Sequence, residues 1–422
     1  MRPDETRGAA LRRPKIAYVM SRFPKLTETF VLYEMDAVEA QGTRVEVYPL
    51  QSQREAKMHA EAARWVERAH YGPLLSWPIL QANLAAFARR PVRYTSTLLS
   101  VVRRNWGSAR YLSGGLAFFP KAVYWADRMA NEGVDHVHAH FASHPAAVAW
   151  VIHRLSGIPY SFTAHGSDLH RDRHMLRDKV ADAEFVVAIS SYNRQVILDE
   201  CGPQADPKVV VIHCGVDLDA FHPERASAKQ NGHPPALDVL CIGTLHEVKG
   251  QTYLIEACRQ LAERGHQVAC HLIGDGEDQQ QLVRQARQAG IADRVHFLGR
   301  LDQREVREAL RRADVLAAPS VPTHNGRREG IPVALMEGMA SGVPSVGSRI
   351  SGIPELIEDG ESGLLVEPRD AKGLADALER LLRDPQLRRR LGAAGRAKVE
   401  REFDLRKSAA SLSRRFASRA QP

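Results

Sequence analysis

From Leu237 to Val366 the chain alternates short apolar runs with stretches of helical length, and few architectures accept that rhythm. Runs at Leu237–Ile242, Val268–Ile273, Arg294–Leu298, Val315–Ala318, Pro344–Gly347 and Gly363–Val366 read as buried strands. Helices of roughly 10–15 residues fit between most of them, which calls for parallel strands joined by crossover helices. The first half has the same grammar. A strand at Lys15–Met20, a helix from near Thr27 to Gly42 and a strand at Arg44–Leu50 open it. It resumes with Val134–His140, a helix over Pro145–Leu155, strands at Pro159–Ala164 and Phe185–Ile189, a helix over Ser191–Glu200 and a strand at Val209–His213. The Pro-, Ala- and Lys-bearing segment Phe221–Pro235 reads as a linker. The expected fold class is therefore α/β: two Rossmann-like, doubly wound domains, 14–220 and 236–400, with 401–422 a basic C-terminal helix. Ligands in such sheets bind beyond the carboxyl ends of the strands.

Composition narrows the class. A 422-residue chain that is 44% apolar and 26% charged is an ordinary globular protein. No apolar run reaches the length of a membrane span, and Met1–Arg13 is polar and arginine-rich, a disordered leader without the apolar core of a secretory signal. Five scattered cysteines (Cys201, Cys214, Cys241, Cys258, Cys270) have no metal-ligand spacing and suit a reducing, cytoplasmic setting. The net charge of +8 favours acidic partners. Much of the excess lies between Ala60 and Arg128, where ten basic residues face only Glu61, Glu67 and Asp127. Four of the five tryptophans fall there too. This window reads as short helices separated by Pro73, Pro78, Pro91 and Gly114-Gly115. It suits either an anionic membrane surface or packed helices with a solvated basic face. Nucleic-acid binding would call for basic–aromatic motifs or a reading helix, and the sequence has neither.

Candidate chemistry centres on Arg328–Ala340, followed by Ser341-Gly342-Val343-Pro344. Gly330 and Pro332 make a loop that enters a helix, and Gly342 and Pro344 stop it. Glu329 then precedes the helix and Glu337 lies inside it, roughly 7–8 Å along the axis. Between them are the free N–H groups of a helix N-terminus, a ready anion site. Two solvated glutamates on an ordinary helix fit the same spacing. Leu272-Ile273-Gly274-Asp275-Gly276 is a strand entering a Gly-x-Gly turn. As a dinucleotide fingerprint it fails, because Gln279 stands at the third glycine position. Lys249, after Gly243-Thr244, suits either a phosphate or solvent. His165 follows a strand end, facing a crevice. His136, His138 and His140 share one strand face, but no carboxylate is spaced in sequence to complete a metal site. Asp217 and Asp219 have a diphosphate–metal spacing and equally suit a turn.

In this order the pieces resemble glycosyltransferase family 4, retaining nucleotide-sugar transferases of GT-B fold. Phe23-Pro24-Lys25-Leu26-Thr27-Glu28-Thr29-Phe30 and His138-Ala139-His140-Phe141-Ala142 look like its colanic-acid and exopolysaccharide branch. Glu329 to Glu337, Ser351-Gly352-Ile353-Pro354-Glu355 and Gly360–Val366 strengthen the likeness. The resemblance implies that Glu329 holds donor-sugar hydroxyls and Glu337 ribose hydroxyls. Backbone N–H groups of Ile331 and Val333 would meet the diphosphate, with Gly330 and Pro332 beside them and Gly274 and Gly276 near the donor. Lys249 would neutralise the leaving group, His165 would line the sugar pocket, and Phe297 and Leu298 would meet the base. Glu28 and Thr29 would lie on the acceptor side. The implied donor is a UDP- or GDP-hexose and the acceptor a saccharide or lipid-linked saccharide, with no metal and no other cofactor. The C-terminal helix would cross back to the first domain, and the protein would sit at the inner face of the cytoplasmic membrane. One departure stands out: Thr244 replaces an arginine that usually pairs with the lysine, so that either another basic residue, such as Arg22, Arg300 or Arg327, substitutes or diphosphate binding is weaker. A non-catalytic or epimerase-type nucleotide-sugar binder of the same fold is the alternative.

Overall fold

The computed structural model describes residues 13–24, 29–53, 62–170, 172–223 and 237–417. The first twelve residues of the expected leader, Glu28 and residues 224–235 of the expected linker lie outside them.

Two parallel sheets of six strands each form the frame. In the first sheet are β1 (Lys15–Phe23), β2 (Arg44–Ser52), β3 (His136–His140), β4 (Tyr160–Ala164), β5 (Phe185–Ala188) and β6 (Val209–Val211). In the second are β7 (Leu237–Ile242), β8 (Val268–Ile273), β9 (Val295–Gly299), β10 (Val315–Ala318), β11 (Ser345–Ser348) and β12 (Leu364–Val366). The orders are β2-β1-β3-β4-β5-β6 and β12-β11-β10-β7-β8-β9. In each, the strand order reverses next to the first strand, between β1 and β3 and between β7 and β10. Loops diverge at such a point and open a crevice. Val, Ile, Leu and Ala fill the strands because both faces are covered by helices.

The basic window differs from expectation. Its helices are Ala63–Arg68, Trp77–Arg89, Pro91–Arg104 and Ala109–Asn131, the last a single helix of 23 residues. Pro78 and Pro91 start helices, where a missing N–H costs nothing. Gly114 and Gly115 are packing positions inside the long helix and not a break. A Cβ at Gly115 would come within 2.9 Å of Val101 Cγ1, and one at Gly114 would strike the His144 ring. Close helix approach is what the two glycines serve.

The C-terminal segment is also divided differently. A helix over Pro385–Glu402 ends at Phe403, and a second, Leu405–Ala417, follows. The break is fixed by backbone pairing with the outgoing crossover: Val216 N–H donates to Phe403 O and Leu405 N–H to Val216 O. Gly215 permits this, since a Cβ there would sit 2.2 Å from Leu405 Cα. Leu405–Ala417 then packs on the first half, with Ala409, Leu412 and Phe416 in one buried cluster with Tyr18, Val31 and Phe185.

Candidate active site

The carboxyl ends of β1, β3 and β4 face those of β7 and β10 across a cleft of about 460 Å³. Its lining comes from both halves: Thr29, Phe30, Phe141, His165 and Cys214 on one side, and Thr244, Lys249, Arg300, Gly330 and Glu337 among those on the other. The halves nearly touch at its base. A Cβ on Gly330 would come within 2.6 Å of His165 O, and one on Gly166 within 3.3 Å of Gly330 Cα. Glu355 fastens the same junction. Its carboxylate accepts from Ser191 N–H and Tyr192 N–H, both at 2.8 Å, which caps the Ser191–Cys201 helix from the other half.

The helix after Glu329 is Val333–Ala340, with Pro332 at its N-cap and no side chain capping it. The first turn therefore keeps free N–H groups at the cleft. Gly330, Ile331, Val333, Ala334 and Glu337 line the cleft, whereas Pro332 is buried behind it. Lys249 Nζ lies 2.7 Å from Glu329 Oε2, each about one-fifth exposed. Burial pushes the Glu337 carboxyl up to about 7, with Arg307 opposing the shift.

Across the cleft, Asp168 anchors the loop after β4. Its carboxylate accepts from His165 N–H at 3.0 Å, Gly166 N–H at 2.8 Å and Ala142 N–H at 2.6 Å. His165 is buried between Phe30 and Phe141, at ring distances of 4.8 and 4.6 Å. Burial, reinforced by His140, holds its imidazole well below the usual histidine range, so it is neutral. Phe141 takes a positive φ of 76°, an uncommon conformation that places its ring on the cleft.

Several residues proposed from sequence are placed elsewhere. Gly274 and Gly276 are not at the cleft surface; a Cβ on either would strike Gly243 O or Leu245 O at 2.1–2.2 Å, so loop-on-loop packing requires them. Phe297 packs on the core of the second half, and Leu298 lines a separate surface groove along the Gln303–Arg312 helix. Asp275, Arg300, Leu301, Gln303 and Val306 hold that end of the cleft instead. Of the arginines considered against Thr244, Arg300 and Arg327 line the cleft, as does Arg328, while Arg22 donates to Gln51 on the rim of the first sheet. Asp217 accepts from Asp219 N–H and Ala220 N–H, the turn role. Phe30 and Phe141 stand in the stretches that carry the family resemblance but had no role assigned there, and Cys214 had no signal, because only the facing of two sheets puts the three opposite Glu329.

The structure also supplies the carboxylate that the β3 histidines lacked in sequence. Ligand atoms of Glu34, His138 and His140 lie within 4.8 Å of one another, a candidate cation-holding set. Both His138 nitrogens are already hydrogen-bonded, to Ser161 and Thr163, and both His140 nitrogens to Glu34 and His165. Every ring nitrogen of the set is thus already engaged in a hydrogen bond.

Residues 27–220 match the family model "Glycosyltransferase Family 4", and residues 224–398 match "Glycosyl transferases group 1". WcaL of Escherichia coli (strain K12), named as a colanic acid biosynthesis glycosyltransferase, is 31% identical over 86% of this chain and 89% of its own. AmsK of Erwinia amylovora, an amylovoran biosynthesis glycosyltransferase, is 36% identical over 57% of this chain and 59% of its own. Anabaena HepE in complex with UDP-glucose superimposes with a TM-score of 0.71 at 20% identity, over 96% of this chain and 99% of the other. Two parallel-sheet halves closing on a shared cleft are the architecture of a GT-B glycosyltransferase. Within that class the chain belongs to glycosyltransferase family 4.

Proposed function

We propose that this protein moves a hexose from a UDP- or GDP-linked donor to a saccharide or lipid-linked saccharide acceptor in exopolysaccharide assembly, with retention at the transferred carbon. The observation that carries the reading is the uncapped N-terminus of Val333–Ala340 in a two-sided cleft, bracketed by Glu329 and Glu337. The exopolysaccharide setting follows the names of WcaL and AmsK, and the UDP option the ligand of HepE.

In this scheme the diphosphate rests on the helix N-terminus, with Arg300 and Arg327 offering the cationic charge that Thr244 cannot. Lys249 turns from Glu329 to the phosphates, which frees Glu329 for the sugar hydroxyls. Glu337 accepts from the ribose. The bond from the sugar carbon to the diphosphate breaks through an oxocarbenium-like state, and the acceptor oxygen bonds that carbon on the same face. The acceptor's proton passes to the departing diphosphate oxygen. Positive charge fixed around that oxygen does the catalytic work, so the scheme calls for no metal. Thr29, which lines the cleft from the first half, would meet the acceptor in this scheme; Glu28, beside it in sequence, is outside the described residues.

We further propose that the acceptor arrives at an anionic bilayer met by the Trp77–Arg89 and Pro91–Arg104 helices. Trp77, Leu84, Phe87, Val92 and Leu99 are exposed there beside exposed Arg89, Arg90, Arg93, Arg103 and Arg104. An apolar row with flanking arginines suits a headgroup boundary better than bulk water. No helix among the described residues is long and apolar enough to cross a membrane.

A melting screen of UDP-, GDP- and ADP-sugars tests donor binding, since a ligand at 100 times its Kd adds about 2.7 kcal/mol to the folded state. Glu329→Gln should keep its melting temperature and lose at least about a hundredfold in transfer rate. Unchanged turnover would remove Glu329 from the site. A non-catalytic binder would show the donor shift but no transferred product, and an epimerase would return an altered donor.

A further inference from the structure

Behind the cleft wall, buried polar groups form a chain that ends on His165. Glu34, on the Thr29–Ala40 helix, accepts from Tyr18 Oη at 3.1 Å through Oε1. The same oxygen lies 3.1 Å from His140 Nε2. His140 Nδ1 lies 3.0 Å from His165 Nε2, and His165 Nδ1 faces Cys214 Sγ at 3.9 Å. The rings stack in series: Tyr18 on His140 at 5.4 Å and 29°, then His140 on His165 at 5.3 Å and 22°. The His140 side chain is fully shielded from solvent.

Proton counting orders this chain. As a carboxylate Glu34 only accepts, so the His140 Nε2 facing it carries the proton. Where His140 carries the single N–H of a neutral imidazole, a lone pair is left on its Nδ1. His165 must then donate from Nε2, and its own lone pair is left on Nδ1. Reversing either ring sets two lone pairs, or two N–H groups, face to face in a buried site, an arrangement that leaves buried groups unpaired.

We propose that Glu34 and His140 are positioning residues that fix His165 as its Nε2–H tautomer, so that its Nδ1 presents a lone pair on the Cys214 side of the cleft. The proposal rests on the reading of His165 as a wall of the sugar pocket. A donor-sugar hydroxyl reaching Nδ1 would be bound as a hydrogen-bond donor, and a group able only to accept would be rejected there. Glu34 itself does not line the cleft. Its role runs through two imidazoles, in the way that a carboxylate behind a histidine sets tautomer and ring orientation in other sites.

Nitrogen-15 spectra of the full chain, labelled at histidine and assigned by a His165→Gln variant, read the tautomer directly. The wild type should show the proton on Nε2 and a bare Nδ1. Glu34→Met, which removes the acceptor at near-constant volume, should mix the two tautomers and lower donor kcat/KM roughly ten- to a hundredfold. Glu34→Gln, whose carbonyl still accepts, should restore most of both. Tyr18→Phe removes a donor from the same carboxylate without breaking the imidazole chain and should leave both readouts unchanged. A wild-type proton on Nδ1, which needs no variant to detect, overturns the proposal, as does an unaltered His165 spectrum in folded Glu34→Met. Full activity in His165→Gln would instead sink the sugar-pocket reading while leaving the tautomer result to stand or fall by its own spectrum.

Discussion

At the scale of single residues, the site is a set of groups whose states are set by what lies behind them. Glu337 shows this most directly. Burial holds its proton on until about pH 7, while in an unfolded chain it would leave near the ordinary glutamate value. Two consequences follow, with opposite signs. This group's contribution to stability declines as pH rises from the unfolded value to about 7 and is level above it. Glu337→Gln should therefore gain melting temperature over the wild type at pH 8 relative to pH 5. Donor binding runs the other way, because ribose hydroxyls donate to the carboxylate and favour its ionised form. Affinity for an intact nucleotide sugar should tighten about tenfold from pH 6 to pH 8, and Glu337→Gln should flatten that slope in a calorimetric titration. A flat wild-type profile would take Glu337 away from the ribose.

At the scale of elements, the notable contacts are those by which one half finishes a structure begun in the other. The Ser191–Cys201 helix takes N–H acceptors from Glu355, which the second half brings after β11. Burial of Glu355 is outweighed by His213 and the two N–H donors, so its carboxyl stays below the usual range. A depressed carboxyl stabilises above its unfolded value and loses that contribution as pH falls. Glu355→Ala should cost about 1–2 kcal/mol and widen the solution scattering envelope as the halves part. Gly330 reports on the same junction from the cleft side. Gly330→Ala puts a methyl 2.6 Å from His165 O, too near for any real contact. Its transfer rate should fall well before its melting temperature does. Equal loss of both would mean that the glycine serves folding alone.

At the scale of the molecule, the asymmetry between the halves matters most. The second half is a bare doubly wound domain, whereas the first carries the helices between Trp77 and Asn131. Several of that window's charges are spent internally: Arg64 on Asp36, Arg68 on Glu39 and Arg104 on Asp178, with buried Lys121 donating to three carbonyls. Arg90, Arg93 and Arg103 make no ion pair among the described residues and stand beside the exposed apolar row. Replacing Arg90, Arg93 and Arg103 with Gln should weaken binding to phosphatidylserine vesicles by about 1 kcal/mol per charge at low salt. Trp77→Ser with Leu84→Ser should weaken it further and independently of salt. Co-sedimentation unchanged in both variants would return the window to the role of packed helices.

The chain by itself determined the strands, the two doubly wound halves and the helix flanked by Glu329 and Glu337. Those features are local: apolar run length, Gly and Pro punctuation and helical spacing all act within a few residues. Even Gly114 and Gly115, misread as a break, failed only because a glycine that ends a helix and one that admits a neighbouring helix look alike in sequence. The tertiary structure decided what no local spacing contains. It paired Lys249 with Glu329, moved Gly274, Gly276 and Leu298 off the cleft, set Phe30 and Phe141 against His165, and brought Glu34 to His140 across 106 residues. The reason is that crossover connections join strand ends far apart in sequence at one sheet edge. Partners gathered there are chosen by topology and leave no periodic trace.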